Sequence, residues 1–406
     1  KGGFIEMMSD GYNSALMKGI YNFYDFGNAK VKRAAGNLLD LYFTYWAQEQ
    51  INGVQGGGRS RIYFYNGMKQ SRHSGSAALA YFYFGIGKIP RVSGHDVGAA
   101  FSSYRPPAVV VDIARDHSGR GRYEVRQRPR GLATEVGMHP YKMNVEKGGI
   151  IRYSYCDPSF ILGTTMVESR PDKDWAKISS QNRWQGVIFA DDNDARIIPT
   201  VRPKDNKVAF NGQWSVQKKG CLITQKLRGQ KGGAEMIVWI SKAGLSKKPQ
   251  EDGITFIEAK EAYASIRIVK GGYKLTEDLY TATGGVGSHH KATPAYSMIL
   301  NDEFSPIILE VIAKSDVKSF SEFKAKTKAC HLEVHKNFVE YKSIYGDTLK
   351  LYTDYSQVPS INGKALSFET GAAFSSPFLN SEWNSGKVKI QKGKMFKILD
   401  FNSQAK

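Results

Sequence analysis

The densest group of side chains that could do chemistry lies between residues 52 and 73. Three consecutive glycines, Gly56 to Gly58, free the backbone there, and the stretch that follows carries four cations and no acidic residue as far as His73. Its candidate side chains are Arg59, Arg61, Tyr63, Tyr65, Lys69, Arg72 and His73. The segment does not predict a phosphate-binding loop, because no strand pattern precedes the glycines, no Gly-Lys-Ser/Thr follows, and Gly-x-Gly-x-x-Gly is absent.

These residue types suit β-elimination from a uronic acid. That reaction needs a cation to neutralise the C6 carboxylate, a base to take the C5 proton, and an acid to protonate the glycosidic oxygen. Arginine binds carboxylates through two parallel hydrogen bonds, and a tyrosine whose pKa is lowered by adjacent arginines can act as the base. The predicted catalytic residues are Tyr63, Tyr65, His73 and Arg72, and the predicted substrate-binding residues of this segment are Arg59 and Arg61. The alternative interpretation is an Arg- and Tyr-rich loop that only packs against a β-domain.

Two further segments carry side chains that suit a sugar polymer. Residues 105–130 hold seven arginines against three acids, so they could wall a cleft between domains. The run Asn182-Arg183-Trp184 places two hydrogen-bonding groups beside an indole on which a sugar ring could stack. The predicted substrate contacts from these segments are Tyr104, Arg105, Arg126, Arg128, Asn182, Arg183 and Trp184. The alternatives are a solvated basic linker and a tryptophan that belongs to the core.

Metal and cofactor chemistry is not predicted. The three cysteines lie far apart in the chain, so they form neither a disulfide framework nor a Cys-x-x-Cys metal site. His289 and His290 are adjacent, and on a strand they would point to opposite faces. No cofactor is expected, although a structural divalent metal in the β-region stays open. If the glycine-arginine segment is not the site, His117, His139 and His289 are the next candidates.

Helical periodicity dominates the chain as far as about Tyr104. Apolar residues at i, i+3 and i+4 spacing predict a helix from Val31 to Trp46. A shorter helix before it ends near Gly27, so the two form a helical hairpin. The wholly apolar segment 77–84 predicts a helix that is buried on all sides and stops at Gly85.

After about Tyr123 the pattern changes to short β-strands separated by turn residues. Asn211-Gly212 and Asn362-Gly363 favour tight hairpins, and one helical insert runs from Ser319 to about Lys328. The predicted strands are Ile150–Tyr155, Val187–Ala190, Glu235–Ser241, Ala262–Val269, Ile307–Ala313, Cys330–His335, Leu349–Tyr352 and Lys387–Ile390. The predicted fold class is therefore α+β, with a helical domain at 1–104, a basic connector at 105–149 and an antiparallel β-sandwich at 150–406.

The charge of the chain indicates an anionic partner. Its 57 basic and 38 acidic residues give a net charge of +19, an excess that attracts acidic polymers. The 22 tyrosines, 21 phenylalanines and 6 tryptophans also suit sugar rings. A nucleic-acid partner is not predicted, because no recognition helix or RNP motif is visible. No apolar run approaches the ~18 residues that a membrane helix needs. The expected partner is an anionic polysaccharide, and the oligomeric state stays open.

Helical hairpins followed by an all-β region resemble the toroid-plus-sandwich polysaccharide lyases of the heparinase II/III-like and alginate-lyase-like group. Two stretches carry the resemblance. The first is the helix with Leu38-Leu39-Asp40-Leu41-Tyr42 that runs into Gly56-Gly57-Gly58-Arg59-Ser60-Arg61-Ile62-Tyr63, and the second is Glu258-Ala259-Lys260-Glu261-Ala262-Tyr263-Ala264-Ser265-Ile266-Arg267, which is similar to a strand of their sandwich. The resemblance implies a partial (α/α) toroid and a tyrosine aided by arginine and by His or Asn. The Asn-His pair that such lyases carry on an early helix is not visible here.

The same resemblance implies a secreted or periplasmic protein. This chain begins Lys1-Gly2-Gly3 and shows no signal peptide, so we expect a processed or truncated N-terminus. The alternatives to a lyase are a glycoside hydrolase of the same architecture and a non-catalytic protein that binds acidic glycans.

Overall fold

The computed structural model describes residues 3, 8–60, 62, 67–90, 92, 94, 96–128, 150–167, 183–202, 213–228, 235–278, 293–368 and 370–402. Its helices are α1 (Asp10–Phe26), α2 (Ala29–Gln48), α3 (Ala77–Phe84), α4 (Val97–Phe101), α5 (Ala108–Arg115) and α6 (Phe320–Ala329). Short 3₁₀ turns lie at Ser71–His73 and Lys314–Asp316. Among the described residues, no helix is long and apolar enough to cross a membrane.

The strands follow one another through most of the remaining chain. They are β1 (Gln50–Ile51), β2 (Val54–Gln55), β3 (Arg59–Ser60), β4 (Tyr123–Gln127), β5 (Ile150–Asp157), β6 (Phe160–Val167), β7 (Arg183–Trp184), β8 (Gly186–Phe189), β9 (Arg196–Arg202), β10 (Gln213–Lys218), β11 (Cys221–Lys226), β12 (Glu235–Ser241), β13 (Ser246–Glu251), β14 (Ile254–Glu258), β15 (Ala262–Ile268), β16 (Tyr273–Asp278), β17 (Ala295–Leu300), β18 (Ile307–Ala313), β19 (Leu332–Val334), β20 (Phe338–Lys342), β21 (Thr348–Tyr352), β22 (Ser360–Ile361), β23 (Lys364–Ala365), β24 (Phe374–Ser375), β25 (Leu379–Asn380), β26 (Lys387–Lys392) and β27 (Met395–Asp400).

A nine-stranded antiparallel sheet forms the middle layer of the protein, with strand order β16-β17-β12-β9-β8-β6-β5-β4-β24. A six-stranded outer sheet, β10-β11-β18-β15-β14-β13, packs on one of its faces. The helices pack on the opposite face. Smaller sheets are β19-β20-β21-β22-β23, β25-β26-β27 and the pairs β1-β2 and β3-β7.

Side chains of the middle sheet alternate between these two layers. In β12, Met236, Val238 and Ile240 join the core beneath the outer sheet, whereas Ile237 and Trp239 join the core beneath the helices. Successive residues of a strand point to opposite faces, so a strand covered on both faces carries apolar residues on both. This explains the continuous apolar run from Met236 to Ile240 in β12.

Several predictions about elements are confirmed. The order of helices first and antiparallel sheets afterwards is as predicted, α2 contains the whole predicted helix, and α6 begins one residue after Ser319. Asn362 and Gly363 have φ angles of 52° and 75° between β22 and β23, the left-handed pair that a tight hairpin needs. The Asn211-Gly212 turn lies outside the described residues.

The prediction that α3 is buried on all sides is wrong. Its first four residues and Phe84 are buried, but Tyr81 and Phe82 are exposed. The helix ends at Gly85, which has a left-handed φ of 64°. An all-apolar helix therefore leaves two aromatic rings at the surface.

The chain between the helices and the sandwich contains regular structure. Helix α5 and strand β4 both lie within residues 105–149, and β4 pairs with β5 in the middle sheet. The C-terminal strands β26 and β27 pack against the helices: Val388 and Leu399 share a hydrophobic core with Leu39 of α2. Lys397 of β27 pairs with the buried Asp40 at 2.6 Å.

Candidate functional site

The three glycines lie directly against the middle sheet. A methyl group at Gly57 would lie 2.5 Å from Glu49 Oε1 and 2.7 Å from both Arg152 Nη2 and Ser154 Oγ. Gly57 also has a left-handed φ of 79°, and a methyl on Gly163 of β6 would meet the Gly57 backbone at 2.4 Å. The glycines are therefore required for close packing, which is the alternative that the sequence left open for this loop.

A buried ion pair lies beneath these glycines. Arg152 of β5 donates through Nη1 to Glu49 Oε2 at 2.5 Å, and through Nε to the carbonyl of Gly58. Ser154 donates to the second Glu49 oxygen at 2.5 Å. Both charged side chains are almost completely buried, so each depends on the other for its compensation. Arg152 thereby fastens the backbone just before Arg59 to the sheet.

Arg59 and Trp184 lie in direct contact, although they come from separate candidate segments. Their backbones pair across β3 and β7, and the Arg59 guanidinium carbon lies 4.3 Å from the Trp184 ring centroid. Arg59 is only 5% exposed and Trp184 only 4%. The tryptophan is a core residue, as its alternative interpretation held, and the stack fixes the arginine above it.

A second buried arginine, Arg196, binds the backbone of residues 67–69 to the middle sheet. Arg196, at the start of β9, donates to the carbonyls of Gly67 at 2.8 Å and Lys69 at 2.7 Å. The backbone N–H of Ser71 donates to Asp194 at 2.6 Å. The 3₁₀ turn that follows presents Arg72 exposed and His73 partly exposed. Residues 67–71 are thus held against the middle sheet, while the Arg72 side chain faces outward.

Tyr104 and Arg105 take part in the helical layer instead of a groove. The Tyr104 hydroxyl donates to Asp40 at 2.8 Å, and its ring stacks 5.8 Å from Phe43. Tyr104 is buried, so the structure does not support its predicted contact with substrate. Arg105 donates to the carbonyls of Ser102 and Tyr104 and closes the end of α4.

Arg126 and Arg128 contact the C-terminal part of the chain. Arg126 donates to the carbonyl of Ser367 at 3.1 Å. The buried Arg128 stacks over Trp383 at 3.8 Å. Neither contact joins these arginines to Arg59, so of the three candidate segments the contacts bring together only Arg59 and Trp184, and these two meet in the interior of the protein.

The remaining predicted site residues are Arg61, Tyr63, Tyr65, Asn182 and Arg183. Arg61, Tyr63, Tyr65 and Asn182 lie outside the described residues. Of Arg183 the structure describes the backbone alone, which pairs with Ser60.

Burial changes the pKa of several groups near the helices. It raises the pKa of Tyr104 and Tyr123 well above the ordinary value for tyrosine, so neither phenol is suited to act as a base. Burial, reinforced by the nearby Arg120 charge, lowers the pKa of His117 to about 4. His117 is therefore neutral at physiological pH. Within the described ranges, no three His, Cys, Asp or Glu residues form a group that could hold a metal ion.

Sequence reasoning missed the two buried arginines that hold the candidate segment. Arg152 interrupts the apolar run of β5, and Arg196 opens the apolar run of β9. A charged residue inside a strand that is otherwise apolar was the available signal, because such a residue needs a buried partner.

Comparison of the chain with models of known protein families finds no match, and comparison with curated proteins finds none either. The resemblance to heparinase-like lyases therefore stays a prediction.

Proposed function

We propose that this protein is a lyase that cleaves an acidic, uronic-acid-containing polysaccharide by β-elimination. The observation that carries the proposal is the anchoring of the described parts of the glycine-arginine segment, at Gly58 and Arg59 and again at residues 67–71. Arg152, Trp184 and Arg196 hold it at successive points, and it presents Arg72 and His73 at the surface. A site works when rigid neighbours fix the side chains that touch the ligand.

The proposed elimination needs no reactant other than the polysaccharide itself. A base on the protein removes the C5 proton, the electron pair forms the C4–C5 double bond, and the C4–oxygen bond breaks. The departing oxygen takes a proton from an acid. Neutralising the C6 carboxylate makes the C5 proton acidic enough to remove, and a guanidinium does this through two parallel hydrogen bonds.

The solvent exposure of each side chain indicates its role in the proposed reaction. Arg72 is the proposed carboxylate partner because it is exposed, and His73 beside it is proposed to assist the proton transfer. Tyr63 and Tyr65 remain the proposed base and acid, with Arg61, Asn182 and Arg183 as proposed substrate contacts.

Arg59 is a positioning residue in this proposal, since its guanidinium lies mostly below the surface against Trp184.

Charge and element order support the same proposal. The net charge of +19 favours capture of an acidic polymer, and the order of helices followed by antiparallel sheets agrees with a partial (α/α) toroid and a β-sandwich. Because such polymers are found outside the cytoplasm, we propose a secreted or periplasmic location.

Product analysis tests the proposal. The protein is incubated with alginate, glucuronan, ulvan, heparin and pectin, and ultraviolet absorbance is followed, because only elimination creates a conjugated unsaturated uronide. New reducing ends without absorbance would identify a hydrolase instead. Binding without any product would identify a glycan-binding protein.

A further inference from the structure

Helix α1 carries an apolar stripe on the face that points away from the protein. Its members, Tyr12, Leu16, Gly19, Phe23 and Phe26, recur at alternating spacings of four and three residues. At 100° per residue they fall within an arc of about 80°. Phe23 is 62% exposed and Phe26 is 86% exposed, and Tyr12 and Leu16 are also exposed. We call these five residues the α1 stripe.

The stripe is separate from the face by which α1 joins the protein. Met17, Ile20 and Tyr21 lie on that inner face and are buried in the helical core. A helix needs only one apolar face to pack on its own domain, so a second, exposed one marks an interaction surface. On the neighbouring helix α4, Phe101 is also 86% exposed.

The centre of the stripe is its smallest residue. A Cβ atom added at Gly19 would meet no described atom within 4 Å, so another helix can approach the backbone closely there. The large side chains lie on both sides of Gly19, at positions 12 and 16 and at positions 23 and 26. A helix that crosses at Gly19 with the same distribution would fit around it.

The charge of α1 itself opposes self-association only weakly. Helix α1 contains only Asp10, Lys18 and Asp25 as charged residues, a net charge of −1 in a chain of net charge +19. None of the three belongs to the stripe, and Asp25 accepts hydrogen bonds from Ser103. Two copies that meet at the stripe therefore bring no charged side chain of one α1 stripe against that of the other.

We propose that two copies of this chain form a dimer in which their α1 helices cross antiparallel at Gly19. Tyr12 then lies near Phe26 of the other copy, Leu16 near its Phe23, and the two Gly19 residues meet at the two-fold axis. This inference is independent of the proposed enzymatic activity.

Disulfide trapping tests the geometry. In a Cys330→Ser background, which removes the only cysteine that is not fully buried, Gly19→Cys should form a disulfide with its own copy under mild oxidation, because residues on the axis approach within bonding range. Lys18→Cys is the matched control, since the neighbouring position is rotated about 100° around the helix. It should cross-link at least tenfold more slowly.

Sedimentation equilibrium tests the association itself. The full chain should sediment as a dimer that strengthens as salt screens the net charge. Phe23→Glu should give a monomer, whereas Phe396→Glu, an equally exposed phenylalanine on β27, should leave the dimer intact. Circular dichroism checks that both variants are folded. A wild-type monomer at every concentration, a dimer that survives Phe23→Glu, or equal cross-linking of the two cysteine variants would overturn the proposal.

Discussion

The guanidinium of Arg59 stacks 4.3 Å above the indole of Trp184, and the two residues are also direct backbone partners across β3 and β7. The contact joins the glycine-arginine segment to the strand that precedes β8. Because both residues are buried, the stack lies in a poorly hydrated place, where cation–π attraction is strongest. It fixes the start of the segment that ends at Arg72 and His73.

A double-mutant cycle measures this stack. We expect Trp184→Leu and Arg59→Leu each to lower the free energy of unfolding. The pair should show a coupling of about 1–2 kcal/mol, the size of a desolvated cation–π contact. Urea unfolding of the wild type, both single variants and the double variant gives the four values. Strictly additive effects would show that the two side chains do not stabilise each other.

Gly57→Ala should be among the most destabilising small substitutions in the chain. Its new methyl would meet Glu49, Arg152 and Ser154 within 2.7 Å while the backbone keeps a left-handed φ. We expect a loss of more than about 3 kcal/mol, since strain and overcrowding add. Gly85→Ala is the matched control: Gly85 has a φ of 64° but no described atom within 4 Å of the added methyl. It should cost only the conformational strain, about 1 kcal/mol. If Gly57→Ala and Gly85→Ala lowered the free energy of unfolding equally, in thermal or urea unfolding, the close packing around Gly57 would be contradicted.

Arg152→Met should leave the Glu49 carboxylate buried without its partner. We expect a loss of about 3–5 kcal/mol in the free energy of unfolding, the usual result of breaking a buried ion pair. Adding Glu49→Gln should recover part of it. Arg202→Met provides the control, because Arg202 and Glu235 form a partly exposed pair at 2.8 Å that should contribute less than about 1 kcal/mol. An Arg152→Met variant as stable as Arg202→Met would show that the buried pair is not required.

Stability should fall as the pH is lowered through the range in which His117 titrates. Burial and the Arg120 charge lower the His117 pKa to about 4 in the folded protein, against about 6.5 in the unfolded chain. Between these values the unfolded state binds more protons, so the stability that is present above pH ~6.5 is lost towards pH ~4. Replacing His117 by Gln should make this decline shallower. Urea unfolding at several pH values measures both slopes, and identical slopes would contradict the assignment.

Local sequence patterns predicted the helices, strands and turns well, because these elements depend mainly on residues that are close together in the chain. The apolar residues of α2 follow helical spacing, Met236 to Ile240 of β12 form a continuous apolar run, and Asn362-Gly363 adopts the left-handed pair that a tight hairpin requires. The exposed rings of Tyr81 and Phe82 could not be foreseen, because exposure depends on which elements cover a helix. The packing of β26 and β27 against the helical core likewise depends on contacts between residues that are far apart in the chain.

The candidate site was predictable in its composition but not in its connections. The sequence marked Arg59 and Trp184 separately, and nothing local shows that their backbones pair. The partnership of Glu49 with Arg152 joins residues far apart in the chain, and a single sequence carries no signal for such a pair. The glycines were prominent in the sequence, but only the structure shows that they fit against Gly163 and Glu49.

The most direct test of the proposed activity is the ultraviolet absorbance of a uronic-acid polymer incubated with the protein and three variants. We expect absorbance to rise with the wild type. His73→Ala should lower kcat by about 10²–10⁴, the size of a lost proton-transfer group, and Arg72→Ala should also raise KM. Arg115→Ala, which removes an exposed arginine from α5, should behave as the wild type. If no polymer of the panel yields an absorbing product, or if His73→Ala and Arg72→Ala both match Arg115→Ala, the proposed lyase site is wrong.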